Sequence, residues 1–293
     1  MVYNVTGLRA RQVDVFSSGP LTGNGLAVFQ SETELDAGLM QNLTREMRQY
    51  ESIFLVPEER PNTFRARIFT MEEELPFAGH PALGAGAVLH ERLVQDDEGS
   101  KAWTLALGTR DVAVHTERTK EGYRAVMDQG VAGFGEPLPR EMAESLCLGH
   151  GVSADLLVPD LPVQVVSTGL PYLIIPVHRG LEQVRIVARE YGRMLAGVGA
   201  AFAYVVDVRA MEGRTWDNDG RVEDIATGSA AGPVGAYMVR HGLGSSGESM
   251  VLAQGEFMDR PSRIEVTVCE ESAGKLNVRV GGRVDLVGTM CFD

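Results

Sequence analysis

Two stretches constrain what this chain can fold into more than anything else in it. From Pro81 to Leu89 the sequence reads PALGAGAVL, and from Ala230 to Val239 it reads AAGPVGAYMV, with no charged residue in either. The pattern predicts helices over Pro81–Leu93 and Ala230–His241. A helix that is apolar on every side has to be enclosed. Both stretches are rich in Gly and Ala, so surrounding strands can approach closely. Pro81 falls near a first helical position, where its missing N–H costs nothing. Ser229 is read as the N-cap of the second helix.

The two stretches also suggest an internal repeat. Setting Gly79 on Gly228 aligns Gly86 with Gly235, Ala87 with Ala236 and Glu74 with Glu223. Upstream, Thr22-Gly23 precedes LAVF much as Thr168-Gly169 precedes YLII. Each half is then expected to be a sheet wrapped around its own buried helix, the halves meeting where both helix N-termini point. Such termini carry unpaired N–H groups and a partial positive charge, so they bind anions. Two of them at one cleft would suit a small carboxylate. Two capped, purely structural helices fit the same pattern.

Around these helices the chain reads as α+β, with strands outnumbering helices. Alternation and β-branched residues predict strands at 11–16, 26–30, 52–56, 64–70, 103–106, 112–115, 163–167, 172–177, 203–208, 263–269 and 276–280. Further helices are expected over Glu34–Glu46 and Leu181–Leu195. The 27 Lys and Arg against 40 Asp and Glu leave a formal charge of −13. Nucleic acid is disfavoured, because phosphate binding needs a basic stripe. The N-terminal MVYNVTGLRARQVDVF has no basic segment leading into an apolar run, so no signal peptide is read. No stretch reaches the ~20 apolar residues of a membrane helix. Cys147, Cys269 and Cys291 form neither a disulfide framework nor a CxxC metal site. A cytoplasmic protein is expected.

Few residues stand where chemistry would need them. His80 lies at the mouth of the first apolar helix, where the helix end would lower its pKa and favour a neutral imidazole. A structural histidine is the blander alternative. Glu223-Asp224 precedes Thr227-Gly228-Ser229 at the second mouth, where acidic residues ordinarily serve as caps. Glu51, in QYESIFLVP, starts an apolar strand and would ordinarily be solvated. Held in an apolar cleft instead, it could take a proton from carbon and return it elsewhere. The chain has no GxSxG elbow, no phosphate-binding GxxxxGK[ST] loop and no HExxH helix.

Three motifs occur in order: VDVFSSGPLTGNGLAVF (13–29), RIFTMEEELPFAGHPALGAG (67–86) and EDIATGSAAGPVGAYMVRHG (223–242). Together with ESIF (51–54) they resemble the PhzF-like phenazine-biosynthesis family over nearly the whole chain. The resemblance implies a diaminopimelate epimerase-like fold. Two pseudo-symmetric halves, each a curled mixed sheet around a central buried helix, would have the active site between them. The halves would be residues 1–120, with 284–293 returning to them, and residues 121–283. It also implies an isomerase, without metal or cofactor, that moves a proton within a small unsaturated cyclic amino or imino carboxylic acid. The family's best-known substrate is trans-2,3-dihydro-3-hydroxyanthranilate, and the setting would be secondary-metabolite (antibiotic) biosynthesis. A homodimer is the family expectation.

Matched position by position, the resemblance places the acid/base glutamate on Glu51. His80 and Asp224 would orient the substrate and balance its amine or imine charge. Asn24 would border the pocket, and Gly79, Gly228 and Ser229 would meet the substrate carboxylate. The chain departs from the family pattern at Tyr50, Gly25, Met71 and Ile225, and Arg48-Gln49 replace a small polar pair. These changes bear on substrate identity more than on fold. Ala78 and Thr227 stand where related racemases carry thiols, so a two-thiol racemase is not expected. The alternative class is a non-catalytic small-molecule binder or interaction protein on the same fold. The presence of Glu51, His80 and Asp224 together favours catalysis over it.

Overall fold

The computed structural model describes residues 5–94, 99–108 and 110–293. The first four residues of the stretch read above for a leader lie outside them. The chain divides into two compact units, one of residues 1–127 and 281–293, the other of residues 128–280.

In the first unit the order is β1 (Arg9–Val15), β2 (Asn24–Gln30), α1 (Ala37–Met47), β3 (Glu51–Pro57), β4 (Thr63–Thr70), β5 (Glu74–Leu75), α2 (Gly79–Leu93), β6 (Ser100–Leu107) and β7 (Arg110–Thr119). Strand β8 (Gly122–Val131) carries the chain into the second unit. There follow β9 (Gly133–Pro137), α3 (Arg140–Gly149), β10 (Gln164–Ser167), β11 (Pro171–Val177), α4 (Tyr191–Ala196), β12 (Phe202–Asp207) and β13 (Glu212–Arg214). Helix α5 (Gly228–Arg240), β14 (Ser249–Gln254) and β15 (Ser262–Glu270) come next, and β16 (Leu276–Cys291) returns the chain to the first unit.

Both apolar helices are enclosed as their composition requires. In α2 every residue from Gly79 to His90 is buried. It packs on β1, β2, β3, β6 and β7. Helix α5 is buried from Ala230 to Met238 and packs on β10, β11 and β15. Each is a crossover between parallel strands, α2 joining β4 to β6 and α5 joining β13 to β14. Many of the remaining pairings are antiparallel, and β2–β3 and β11–β12 also pair parallel. The same order of strand, crossover and buried helix thus occurs twice.

The aligned glycines explain how strands come so close. A Cβ on Gly86 would lie 2.7 Å from Val114 of β7, and one on Gly235 would overlap Val266 of β15. Gly79 and Gly228 are the first residues of their helices. In the first unit a second layer is apolar: α1 lays Leu39, Met40 and Leu43 on Phe29, Phe54 and Phe69, with Phe29 and Phe54 stacked at 4.6 Å.

Two local expectations need correction. The helix expected over Leu181–Leu195 is a single 3-10 turn at Leu181–Gln183, an irregular run and the short α4. Arg214 Nη1 takes the carbonyls of Leu181 (2.8 Å) and Val184 (3.3 Å), which a helix would have used internally. Ser229 is not the N-cap of α5. That place belongs to Thr227, and Ser229 lies within the first turn. Pro81 is the third residue of α2, still among the first-turn positions whose N–H has no helical acceptor. Pro233, by contrast, sits inside α5 and offers no N–H to the carbonyl of Ser229, four residues back.

Candidate active site residues in the two units

In the first unit, sheet register sets the site. Glu51 opens β3 between Leu26 of β2 and Thr70 of β4. The space a Cβ on Gly84 of α2 would need is taken by Leu26, Val13 and Val15, so this face of the sheet looks at α2. Directly paired residues share a face, and so do residues two apart on a strand. Glu51 and the buried Asn24 therefore point to the α2 side with Leu26. The turn ahead of Asn24 is held by Gly23 at φ +72, where a Cβ would lie 2.5 Å from the carbonyl of Val15.

His80, second residue of α2, brings its Nε2 to 3.5 Å from Glu51 Oε2. The Glu51 side chain is 18% exposed and that of His80 is 9% exposed. Burial pushes the His80 imidazole down to about 3, so it is neutral at pH 7 and the contact is not an ion pair. The direction agrees with the sequence reading, but the cause is desolvation. The N-cap of α2 is Ala78, which makes no side-chain capping bond, and the first turn holds no acidic residue. Beside it, the Arg110 guanidinium lies 3.9 Å over the ring of Phe77.

In the second unit, Asp224 lies half-buried in the turn leading into α5. Its carboxylate accepts from the Thr227 hydroxyl and, at 3.4 Å, from the Ala226 N–H. Its own N–H donates to the carbonyl of Thr215. Glu223 is not a cap. It forms a two-pronged ion pair with Arg214 at 2.7 Å for each bond, and Arg214 is held between the rings of Trp216 and Phe257. Thr227, the N-cap, makes no capping bond with its side chain. The Ser229 hydroxyl is 2.8 Å from that of Tyr172, and Gln129 donates to the carbonyl of Gly228.

Thus Asn24, Glu51, Gly79 and His80 come together in the first unit, and Asp224, Gly228 and Ser229 in the second. Arg214, Gln129, Tyr172 and Gln254 were not anticipated as neighbours of these residues. A lone polar residue in a strand carries no mark of its partner, and only the fold reveals it. Two open grooves of the first unit, of about 740 and 610 Å³, are lined by other residues. Among the described residues no cluster of His, Cys, Asp and Glu is arranged to hold a metal ion. No helix among them is long and apolar enough to cross a membrane. Ala78 and Thr227 are the N-caps of α2 and α5.

A sequence model of the phenazine biosynthesis-like protein family matches residues 13–288. The trans-2,3-dihydro-3-hydroxyanthranilate isomerase of Pseudomonas aeruginosa is 31% identical over 260 residues, covering 86% of this chain and 87% of its own. The solved structure of a predicted epimerase from Pseudomonas aeruginosa is 50% identical. It superposes with a TM-score of 0.88 over 97% of this chain and 99% of that one. A hydroxyproline epimerase from Agrobacterium vitis shares the fold at 11% identity, with a TM-score of 0.63 over 99% of this chain and 93% of its own.

Proposed function

The chain belongs to the phenazine biosynthesis-like family and is an isomerase, and we propose that it moves a proton within a small unsaturated cyclic amino or imino carboxylic acid. Glu51 is the acid/base. As carboxylate it takes a proton from a carbon next to the conjugated system, and the electron pair left behind shifts along that system. The protonated carboxyl then delivers the proton to a second carbon, which regenerates Glu51. No other atom enters or leaves.

The observation that carries this reading is the pairing of the largely enclosed Glu51 carboxyl with a neutral imidazole at 3.5 Å. A charged His80 would lock Glu51 as an ion pair and weaken it as a base. A neutral one can hold the carboxyl's orientation and leave its basicity intact. The first turn of α2, which its N-cap side chain does not cap, supports the same reading, because the N–H groups of a helix start suit a substrate carboxylate. In the second unit Asp224 would face the amine or imine, and Gly228 and Ser229 would contribute donors. Asn24 would border the ring.

The relatives' activity makes trans-2,3-dihydro-3-hydroxyanthranilate the first compound to try. Ring-unsaturated proline-like acids come next, and the setting would be secondary-metabolite biosynthesis. Each is incubated with the enzyme in D₂O while the ultraviolet spectrum and the deuterium content of recovered material are followed. The reading expects a shift of the conjugated chromophore with deuterium entering at carbon. Absence of carbon-bound deuterium across both compound classes would overturn it.

A further inference from the structure

We propose that Gln254, at the end of β14, is the positioning residue that sets Asp224 and Thr227 for the reaction. This rests on the reading of Asp224 given above. Gln254 is fully buried, and a buried amide is costly unless its donors and acceptors are met. All four are met. Nε2 donates to the carbonyl of Asp224 at 2.7 Å and to Thr227 Oγ1 at 3.0 Å. Oε1 accepts from the N–H of Thr227 at 3.1 Å and from the hydroxyl of Tyr204 at 3.0 Å. An amide side chain has two donors and two acceptor lone pairs, so its capacity is used up.

The direction of these bonds is what matters. A threonine hydroxyl has one hydrogen. Because Gln254 Nε2 occupies a lone pair of Thr227 Oγ1, that hydrogen goes to the Asp224 carboxylate. Thr227 therefore spends its side chain on Asp224 and not on the N–H groups of its own helix, the usual role of an N-cap threonine. Tyr204 in turn is buried, and its hydroxyl needs Gln254 as acceptor. The Arg214–Glu223 pair holds the residue before Asp224. The Asp224 backbone is thus held by Thr215 at its N–H and by Gln254 at its carbonyl, and Gln254 also touches Thr227.

The test compares wild type with Gln254→Leu, Thr227→Val and Asp224→Ala, using trans-2,3-dihydro-3-hydroxyanthranilate as substrate and hydrogen–deuterium exchange over residues 224–231. Gln254→Leu is expected to raise KM about tenfold with kcat, normalised to folded enzyme, within threefold. A tenfold change corresponds to about 1.4 kcal/mol. The same variant speeds amide exchange of the 224–229 turn at least tenfold, while exchange in β11 and β12 stays as in wild type. Thr227→Val, which removes one hydroxyl and keeps the shape, shows the KM effect in weaker form should Gln254→Leu fail to fold. A merely structural role would lower the folded fraction and leave KM alone, and that result overturns the proposal. Wild-type exchange at the turn in a folded Gln254→Leu variant overturns it as well, and this readout needs no substrate. If Asp224→Ala turns over normally, the functional reading of Asp224 fails, and the exchange data alone then decide the role of Gln254.

Discussion

Burial, not a neighbouring charge, decides the protonation state of His80, and that shapes what Glu51 can do. An imidazole held at about 3 carries no charge at any pH where the enzyme would work. Its ring nitrogens should therefore show no titration between pH 5 and 8 in ¹⁵N-imidazole spectra. A titration in that range would mean that the site is wetter than the side-chain burial implies. The Tyr172–Ser229 contact belongs to the same scale. Tyr172→Phe removes one hydroxyl from a buried ring stacked on Phe202. If Ser229 meets the substrate, steady-state kinetics of Tyr172→Phe should show KM raised roughly five- to tenfold, in keeping with about 1 kcal/mol for a lost hydrogen bond. An unchanged KM would remove Ser229 from the binding role. The partners of Asp224 and Ser229 were not readable beforehand: Gln254 and Tyr172 are single polar or aromatic residues in largely apolar strands, Arg214 ends the short strand Glu212–Arg214, and nothing in their spacing points to Asp224 or Ser229.

The buried helices behave as elements whose sequences were legible because their composition leaves no alternative to enclosure. Helix α2 and helix α5 could be read directly, and so could the matched glycines. In the exposed interior of a helix Gly→Ala stabilises by about 1 kcal/mol. At Gly86 and Gly235 the sign should reverse, because the added methyl meets Val114 and Val266. Overpacking of this kind costs about 1–3 kcal/mol. Chemical denaturation of Gly86→Ala and Gly235→Ala, beside an exposed Gly→Ala control, checks the reversal. A stabilised Gly86→Ala would mean that β7 can yield. The elements that escaped the sequence are those decided by distant partners. Leu181–Leu195 has helical spacing, but Arg214 claims its carbonyls. Helix α3 begins after Pro139 with two charged residues in its first three and was not anticipated. Ser229 resembles a cap locally, yet the chain enters the helix two residues earlier than that would allow, at Gly228.

Across the whole molecule, the fold is the diaminopimelate epimerase-like one; the doubled motif pointed to two sheets each around its own helix, and the family resemblance supplied the fold itself. The strand read over 276–280 in fact runs on unbroken to Cys291 as β16. Stability should carry a second molecular signature. His80 in one unit and His150 in the other are both buried and both depressed to about 3 from an unfolded value of 6.5. The unfolded chain then binds more protons than the folded one between those values, so stability falls as pH drops from about 6.5 towards 3 and is flat with respect to these groups above it. Each contributes a slope of about 1.4 kcal/mol per pH unit. His150, packed against the rings of Tyr191 and Trp216, belongs to the second unit, and Glu51 and His80 to the first. Denaturation midpoints should hold level from pH 7.5 to about 6.5, then fall towards pH 4.5 in wild type and less steeply in His150→Leu. Equal slopes would mean that His150 is solvated in the native state.

The central claim is that one carboxyl carries the proton, and Glu51→Gln tests it most directly. The variant keeps the size and hydrogen-bonding shape of the side chain and removes its basicity. With a substrate that the wild-type enzyme converts in D₂O, the account predicts that Glu51→Gln retains its melting temperature and the binding of that substrate. It should lose carbon-bound deuterium incorporation by a factor of about 10²–10⁴, the usual contribution of a positioned acid/base. Incorporation at the wild-type rate in a folded Glu51→Gln protein would contradict the account.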